Sequence, residues 1–178
     1  PVKAYKWRGA FNAMACLSEE ERKGGVVAAS AGNHAQGIAI GARELECHAT
    51  IFMPEPTPLV KRKAVMAHGG ESVTIELIGD SFSEAQDAAL AYAGETGAVF
   101  IPPYDSIEVM AGQGTLADEI FSSCEGPFDR VYVAIGGGGL AASVATWLKS
   151  YWPEVKVIGV EGVDQASMSA AFENGGPT

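Results

Sequence analysis

Short apolar runs alternate along this chain with longer stretches in which apolar residues recur at helical spacing. The runs are almost continuously hydrophobic, as is typical of strands that are covered on both faces in a parallel sheet. We therefore predict six buried strands, at 26–30, 49–54, 72–78, 98–103, 130–135 and 155–161.

Between the strands, apolar side chains three or four residues apart predict amphipathic helices. One such stretch, 82–92, follows the capping-box pair Ser81 and Glu84, and another occupies 138–152. The apolar sets are Phe82, Ala85, Ala89 and Tyr92 in the first helix, and Leu140, Val144, Trp147, Leu148 and Tyr151 in the second.

Alternating strands and helices form right-handed β-α-β crossovers, so the predicted fold class is α/β, with doubly wound parallel sheets. Such sheets bind ligands beyond the carboxyl ends of their strands, and we expect functional residues directly after each strand. Paired prolines within 102–106 end one strand and predict a boundary between two lobes.

Composition argues against several classes of partner. The chain has 178 residues, enough for one domain or two small lobes, and 47% of them are hydrophobic. Its net charge is −10, which argues against a nucleic-acid partner. No run approaches the roughly 20 apolar residues of a membrane-spanning helix, so no membrane association is expected. The sequence begins at Pro1, inside a dense motif, and we interpret it as an excerpt.

The chain has few cysteines and histidines, the residues that most often bind transition metals. The cysteines and histidines are Cys16, Cys47, Cys124, His34, His48 and His68. They match no metal-binding spacing and no disulfide framework, so we expect no metal site. Unpaired cysteines favour a reducing compartment, the cytoplasm.

Four consecutive glycines, Gly136 to Gly139, separate the fifth predicted strand from a helix in "VYVAIGGGGLAASVATWLK". The run matches the dinucleotide fingerprint only formally, with Ala141 in its last position, and it lacks the Gly-Lys-Ser/Thr of a P-loop. Main-chain N–H groups of a glycine turn and of a helix start can bind an anion such as phosphate. The alternative is a tight turn where the helix packs on the strand.

The first predicted strand leads into "VVAASAGNHAQG", in which a helix is expected to run to about Leu45. Ser30 and Asn33 are the expected caps of this helix, whose start again offers N–H donors to an anion. Local sequence alone favours the simpler alternative, in which Asn33 only caps the helix and His34 is a surface histidine.

Near the start of the chain, Lys6 stands between Tyr5 and Trp7 in "AYKWRGAFN", and Arg8 and Gly9 are expected to open the first helix. Taken alone, this lysine is expected to be solvated, with its stem on aromatic surface. The functional alternative is a desolvated amine whose lowered pKa allows it to form a Schiff base.

Together, "AYKWRGA", "SAGNHAQG" and "GGGGL", in this order and spacing, resemble the threonine dehydratases of the fold type II, or β-, family of pyridoxal-phosphate enzymes. The segments "IPPYDSIEVMAGQGTLADEI" and "PEVKVIGVE" are also similar to that family, so the resemblance covers nearly the whole chain. It implies the fold of tryptophan synthase β, with an incomplete large domain.

The resemblance implies that Lys6 binds pyridoxal phosphate as a Schiff base and then acts as the acid and base at the substrate Cα. Tyr5 would pack on the pyridine ring, and Asn33 would bond the phenolic oxygen. The implied phosphate cradle is Gly136, Gly137, Gly138, Gly139 and Leu140. The implied substrate-carboxylate loop is Ser30, Ala31, Gly32 and His34.

The implied reaction converts L-threonine, and more weakly L-serine, to a 2-oxo acid and ammonia, in isoleucine biosynthesis or threonine catabolism. The implied organisation is residues 1–11 in the large domain, 12–103 as a small α/β domain, and 104–178 in the large domain. A homo-oligomer, dimer or tetramer, is expected.

The sequence departs from the family pattern at Ala4, where serine is frequent, and at Ser167. Metal-dependent serine racemases of the family carry a ligand carboxylate six positions after the position of Glu161, where this chain has Ser167. The absence of a carboxylate at this position argues against racemase activity and against a metal site. Serine racemase and β-replacement enzymes remain alternatives, as does, more remotely, a non-catalytic phosphate-ligand domain of flavodoxin-like build.

Overall fold

The computed structural model of the chain describes residues 3–123 and 125–176. Cys124 therefore lies outside the described residues. The chain forms two compact units, Pro1–Pro103 and Tyr104–Thr178, and each is described by itself below.

The first unit contains a four-stranded sheet in the order β3-β2-β1-β4, in which every pair of neighbours is parallel. The strands are β1 (Val26–Ala29), β2 (Ala49–Met53), β3 (Val73–Leu77) and β4 (Val99–Phe100). The helices are α1 (Lys6–Ala15), α2 (Glu19–Gly24), α3 (Asn33–Glu44), α4 (Leu59–Gly69) and α5 (Phe82–Thr96), with a 3₁₀ turn at Gly70–Ser72.

The two central strands, β1 and β2, are buried along their whole length because helices cover both faces of the sheet. On one face, Val27 and Ala29 pack with Ala85 and Ala89 of α5. Successive strand residues point to opposite faces, so Val26 is directed to the other side. Because both faces of β1 and β2 are buried, these strands appear in the sequence as continuous apolar runs.

Helix α1 packs closely along α3. Gly37 of α3 permits this approach, since a Cβ atom there would stand 2.8 Å from the Cα atom of Trp7. One turn further, a Cβ atom at Gly41 would lie 2.7 Å from the sulfur of Met14. The two glycines therefore set the position of α1, the helix that begins at Lys6.

The second unit contains a two-stranded parallel sheet of β5 (Arg130–Ala134) and β6 (Lys156–Val160). Its helices are α6 (Ile107–Ser123), α7 (Gly139–Tyr151) and α8 (Ser167–Asn174). Its core consists of Ala117, Val133, Val144, Leu148 and Val155.

The predicted α/β class with parallel sheets is confirmed, and each predicted strand is present. The fourth is the shortest, ending at Phe100 although 98–103 was expected, because Pro102 and Pro103 have no N–H to give to a neighbouring strand. The capping box of Ser81 and Glu84 is formed at the start of α5. The first helix begins at Lys6, two residues before the expected Arg8.

The observed units divide directly after Pro103. Helix α1 packs on α3 and so belongs to the first compact unit. The assignment of residues 1–11 to a larger domain, and of 12–103 to a small one, stays a prediction about the complete protein.

Candidate active site

Lys6 is half-buried at the first position of α1. Its Nζ atom donates a hydrogen bond to the main-chain carbonyl oxygen of Pro103, at 2.5 Å, and lies 5.8 Å from the centre of the Tyr5 ring. Burial lowers the pKa of the Lys6 amine, because a charged ammonium is poorly solvated there. The expectation of a solvated lysine is therefore wrong, and the desolvated alternative describes the side chain.

The loop after β1 leads into α3 through Ser30, Ala31 and Gly32. The Oγ atom of Ser30 accepts a hydrogen bond from the N–H of Gly32 at 3.2 Å, so it does not cap the helix. Gly32 is the N-cap residue, and no side chain of the described residues caps α3. The expectation that Ser30 and Asn33 cap the helix is therefore wrong, and the exposed Asn33 is the first residue of α3.

The uncapped start of α3 can bind an anion. The first N–H groups of a helix have no partner within the helix, and its dipole favours negative charge at this end. There is room for a ligand, since a Cβ atom built at Gly32 would meet nothing within 4 Å. The arrangement suits the carboxylate of a small molecule.

His34 is buried, with 3% of its surface exposed, so the expectation of a surface histidine is wrong. Its Nε2 atom lies 3.0 Å from the carbonyl oxygen of Ile101. Burial is the main cause that lowers the pKa of His34 to about 4; the bond to Ile101 opposes this effect, and the charge of Lys6 adds to it. The imidazole is therefore neutral near pH 7. His34 and Lys6 lie in one region, because they bind carbonyl groups two residues apart, those of Ile101 and Pro103.

The glycine loop lies in the second unit, between β5 and α7. Gly138 is the N-cap of α7 and has a φ of +85°, a conformation that favours glycine. A Cβ atom at Gly137 would stand 2.5 Å from the ring of Tyr104, and one at Gly139 would stand 2.7 Å from the Tyr104 carbonyl oxygen. Local geometry thus requires three of the four glycines.

Gly136 is different, because a Cβ atom there would meet nothing within 4 Å. It borders a pocket of about 540 Å³ at the carboxyl ends of β5 and β6. The other lining residues are Ile135, Gly162, Asp164, Gln165, Ala166 and Ser167. As Gly138 has no side chain with which to cap α7, the first N–H groups of this helix are also available to an anion.

Glu161 follows β6 and caps α8. Its carboxylate accepts hydrogen bonds from the N–H of Met168 and the N–H and hydroxyl of Ser169, at 2.8 to 2.9 Å. The bond from Met168 is the main cause that lowers the pKa of Glu161. Across residues 3–123 and 125–176, His, Cys, Asp and Glu side chains form no group of three or more that could hold a metal ion.

The predicted site residues thus fall into two sets. Those of the first unit are Tyr5, Lys6, Ser30, Ala31, Gly32, Asn33 and His34, and those of the second are Gly136, Gly137, Gly138, Gly139 and Leu140. The individual roles that the resemblance assigns to these residues stay predictions.

Sequence reasoning missed the carbonyl groups of Ile101 and Pro103, which bind His34 and Lys6. Every residue carries a carbonyl group, so no residue type signals that a particular one is used. It also missed the packing of Tyr104 on the glycine loop.

Comparison with known proteins decides the family. Residues 1–178, the whole chain, match the family described as pyridoxal-phosphate dependent enzymes. The chain belongs to this family. This match confirms the resemblance to fold type II pyridoxal-phosphate enzymes that the sequence showed.

Among curated members of the pyridoxal-phosphate dependent family, the biosynthetic L-threonine dehydratase of Haemophilus influenzae is 48% identical over 178 residues. The corresponding protein of Lactococcus lactis is 46% identical over 179 residues. These matches cover 100% and 99% of this chain but 34% and 43% of the relatives. The chain therefore spans less than half the length of these curated relatives.

Solved structures of the family have the same fold. The processed form of threonine deaminase isoform 2 from Solanum lycopersicum superimposes with a TM-score of 0.92 at 44% identity, over 99% of this chain and 50% of that one. Maize serine racemase gives a TM-score of 0.90 at 31% identity, over 98% of this chain and 52% of that one.

The described part of this chain contains no helix that is both long and apolar enough to cross a membrane.

Proposed function

We propose that this chain is part of a pyridoxal-phosphate-dependent ammonia-lyase that converts L-threonine, and more weakly L-serine, to a 2-oxo acid and ammonia. The observation that carries the proposal is the half-buried amine of Lys6, whose pKa is lowered by burial. A lowered pKa makes the neutral amine available, and only the neutral amine can add to a carbonyl group or accept a proton. The names of the curated relatives support threonine as the substrate.

The residues present fit pyridoxal phosphate. Lys6 would bind its aldehyde, Tyr5 would pack against its ring, and Asn33 would hydrogen-bond its phenolic oxygen. The phosphate would bind the main-chain N–H groups of Gly136–Gly139 and Leu140, since Gly136 faces open space and α7 begins without a side-chain cap. When bound, the cofactor supplies an electron sink for the charge left when a proton leaves the substrate Cα.

The chain's own groups bind the substrate at its carboxylate. The uncapped N–H groups at the start of α3 favour an anion, and Ser30, Ala31 and Gly32 form the loop that leads to them. The imidazole of His34 is turned to Ile101, so His34 would contribute its main-chain N–H to the carboxylate.

Lys6 moves the proton at Cα. Its amine donates a hydrogen bond to the main-chain carbonyl of Pro103, and this contact limits the positions from which it can act. The neutral amine accepts the Cα proton, and the β-hydroxyl takes up an equivalent proton as it leaves, so the substrate loses one molecule of water in this step. Hydrolysis of the C–N bond returns one water, so L-threonine gives 2-oxobutanoate and ammonia, and L-serine gives pyruvate and ammonia.

Threonine dehydration supplies a 2-oxo acid to isoleucine biosynthesis, and the biosynthetic relatives favour that role over threonine catabolism. We expect a cytoplasmic homo-oligomer. A plastid location is the alternative, because the Arabidopsis thaliana relative is named chloroplastic.

Serine racemase is the second candidate, because the fold matches the maize enzyme closely. Ser167 argues against it, since this residue stands where metal-dependent racemases carry a second carboxylate. The Glu161 carboxylate is moreover hydrogen-bonded to the first turn of α8.

A phosphate-binding domain without catalysis would need the glycine loop but not Lys6.

The deciding experiment incubates the full-length protein and pyridoxal phosphate with L-threonine and, separately, with L-serine. We expect 2-oxobutanoate and ammonia in equal amounts from threonine, and slower pyruvate formation from serine. D-serine without keto acid would favour the racemase. Absence of any product, with phosphate-ligand binding retained in Lys6→Ala, would favour the non-catalytic domain.

A further inference from the structure

Two side chains of the first unit hold one short segment, residues 101–103, by its main-chain carbonyl groups. His34 binds the carbonyl of Ile101 at 3.0 Å, and Lys6 binds the carbonyl of Pro103 at 2.5 Å. The N–H of Ile101 is also fixed, because it donates to the carbonyl of Val27 in β1 at 2.9 Å. The segment is thus tied to β1, to α3 and to α1.

The bond from His34 has a defined direction. A carbonyl oxygen only accepts, so the Nε2 atom of His34 carries the proton and donates it to Ile101. The other nitrogen, Nδ1, is then unprotonated; it is buried and has no hydrogen-bond partner among the described residues. The imidazole therefore works as a neutral donor at one position.

The segment between the two carbonyls is stiff. Pro102 and Pro103 have φ fixed near −65° by their rings, and the residue before each proline is restricted to extended conformations. Fixing the carbonyl of Ile101 therefore also restricts the position of the Pro103 carbonyl carbon, two residues further along, and leaves only the ψ rotation of Pro103 to direct its oxygen. That carbonyl is the acceptor of the Lys6 amine.

We propose that His34 is a positioning residue for the Lys6 amine. Its neutral imidazole fixes the carbonyl of Ile101, and the two prolines transmit this position to the carbonyl that holds Lys6. This inference rests on the proposed function, in which Lys6 is the cofactor-binding lysine. It gives the imidazole a task separate from the carboxylate contact that the main chain of His34 would make.

The test measures how fast Lys6 reacts, without reference to turnover. The full-length protein, freed of cofactor, is exposed briefly to pyridoxal phosphate and reduced with borohydride, and mass spectrometry quantifies labelled Lys6. His34→Leu removes the donor and leaves the Ile101 carbonyl unsatisfied. We expect labelling to slow by about tenfold, the order of effect of one lost buried hydrogen bond. The conservative variant His34→Gln places an amide donor near the Nε2 position and should restore labelling to near the wild-type rate.

His48 offers a matched control. Its Nε2 atom lies 3.0 Å from the Thr74 hydroxyl, and it precedes β2, at the amino end of the parallel strands, whereas His34 follows the carboxyl end of β1. His48→Leu should label Lys6 at the wild-type rate. If His34→Leu does not fold, the pair His34→Gln and His34→Asn decides, because the shorter Asn amide does not reach Ile101. The inference predicts slow labelling for His34→Asn only.

Equal Lys6 labelling rates in wild type and in every folded His34 variant would overturn the inference and leave the proposed function intact. No labelling of Lys6 in the wild-type protein would instead overturn the proposed function, and the inference with it.

Discussion

The aromatic ring of Tyr104 lies directly against the main chain of Gly137, where a Cβ atom would stand only 2.5 Å from the ring carbons. Carbon atoms that are not bonded to each other do not approach so closely, so any side chain at this position must displace Tyr104 or the loop. The glycine run therefore contains positions that packing requires and, at Gly136, one that packing does not require. Substituting alanine at each kind of position can distinguish glycines that packing requires from a glycine that leaves space for a ligand.

We predict that Gly137→Ala lowers the free energy of unfolding by about 1–3 kcal/mol, the usual effect of overpacking. Urea denaturation of the full-length protein measures the change. Gly94→Ala is the control: Gly94 lies inside α5 with nothing within 4 Å of a Cβ atom, and alanine there should stabilise the helix by about 0.5–1 kcal/mol. Wild-type stability in Gly137→Ala would contradict the packing argument.

Gly136→Ala is predicted to behave in the opposite way. Its methyl group meets no atom of the protein, so stability should change by less than about 0.5 kcal/mol. The methyl group would occupy space that a phosphate needs, and the dissociation constant for pyridoxal phosphate should rise about tenfold, equivalent to about 1.4 kcal/mol. An absorbance titration measures this constant. Unchanged affinity would indicate that the loop does not bind the phosphate.

Gly37→Ala tests whether α3 sets the position of Lys6. A Cβ atom at Gly37 would lie 2.8 Å from the Cα atom of Trp7, which is main chain and cannot rotate away. We expect α1 to be displaced, with a loss of about 1–3 kcal/mol in stability and slower cofactor uptake at Lys6. Gly94→Ala again serves as the control. Normal stability with normal uptake would show that the contact is not needed.

The sequence predicted the sheets well because buried parallel strands leave a simple signal, a continuous apolar run. It predicted the start of α1 less well, since Tyr5, the N-cap residue, makes no capping bond that would mark the position. The start of α3 was misinterpreted for a related reason. Ser30 has the chemistry of a cap but uses its hydroxyl on Gly32 within the loop.

Local sequence described Lys6 and His34 poorly because their burial depends on distant parts of the chain. Lys6 meets a carbonyl 97 positions away, and His34 meets one 67 positions away. No nearby residue signals either contact. The family resemblance predicted a functional role for both residues, but it did not indicate which main-chain groups bind them.

The burial of His34 also predicts a dependence of stability on pH. The pKa of His34 falls from an ordinary 6.5 to about 4 in the folded chain, chiefly because of burial. The unfolded chain therefore binds the proton first as the pH falls. The free energy of unfolding therefore decreases as the pH falls from about 6.5 towards 4, by about 2–3 kcal/mol in all.

Urea unfolding at pH 7 and pH 4.5 measures this loss, with His34→Gln as the comparison because glutamine does not titrate. The difference between the two pH values should be smaller in the variant by about 2–3 kcal/mol. The same pH dependence in both proteins would mean that His34 is not held in its neutral form.

The central claim is that Lys6 is the residue that binds the cofactor, and borohydride trapping in the full-length protein tests it most directly. The wild-type protein with pyridoxal phosphate should absorb in the visible range, and reduction should leave the label on Lys6. Lys6→Ala should lose both signals. Lys23→Ala should keep them, because Lys23 is an exposed lysine paired with Glu19 at 2.7 Å. A visible absorbance that survives in Lys6→Ala, or a label on another lysine of the wild-type protein, would contradict the account.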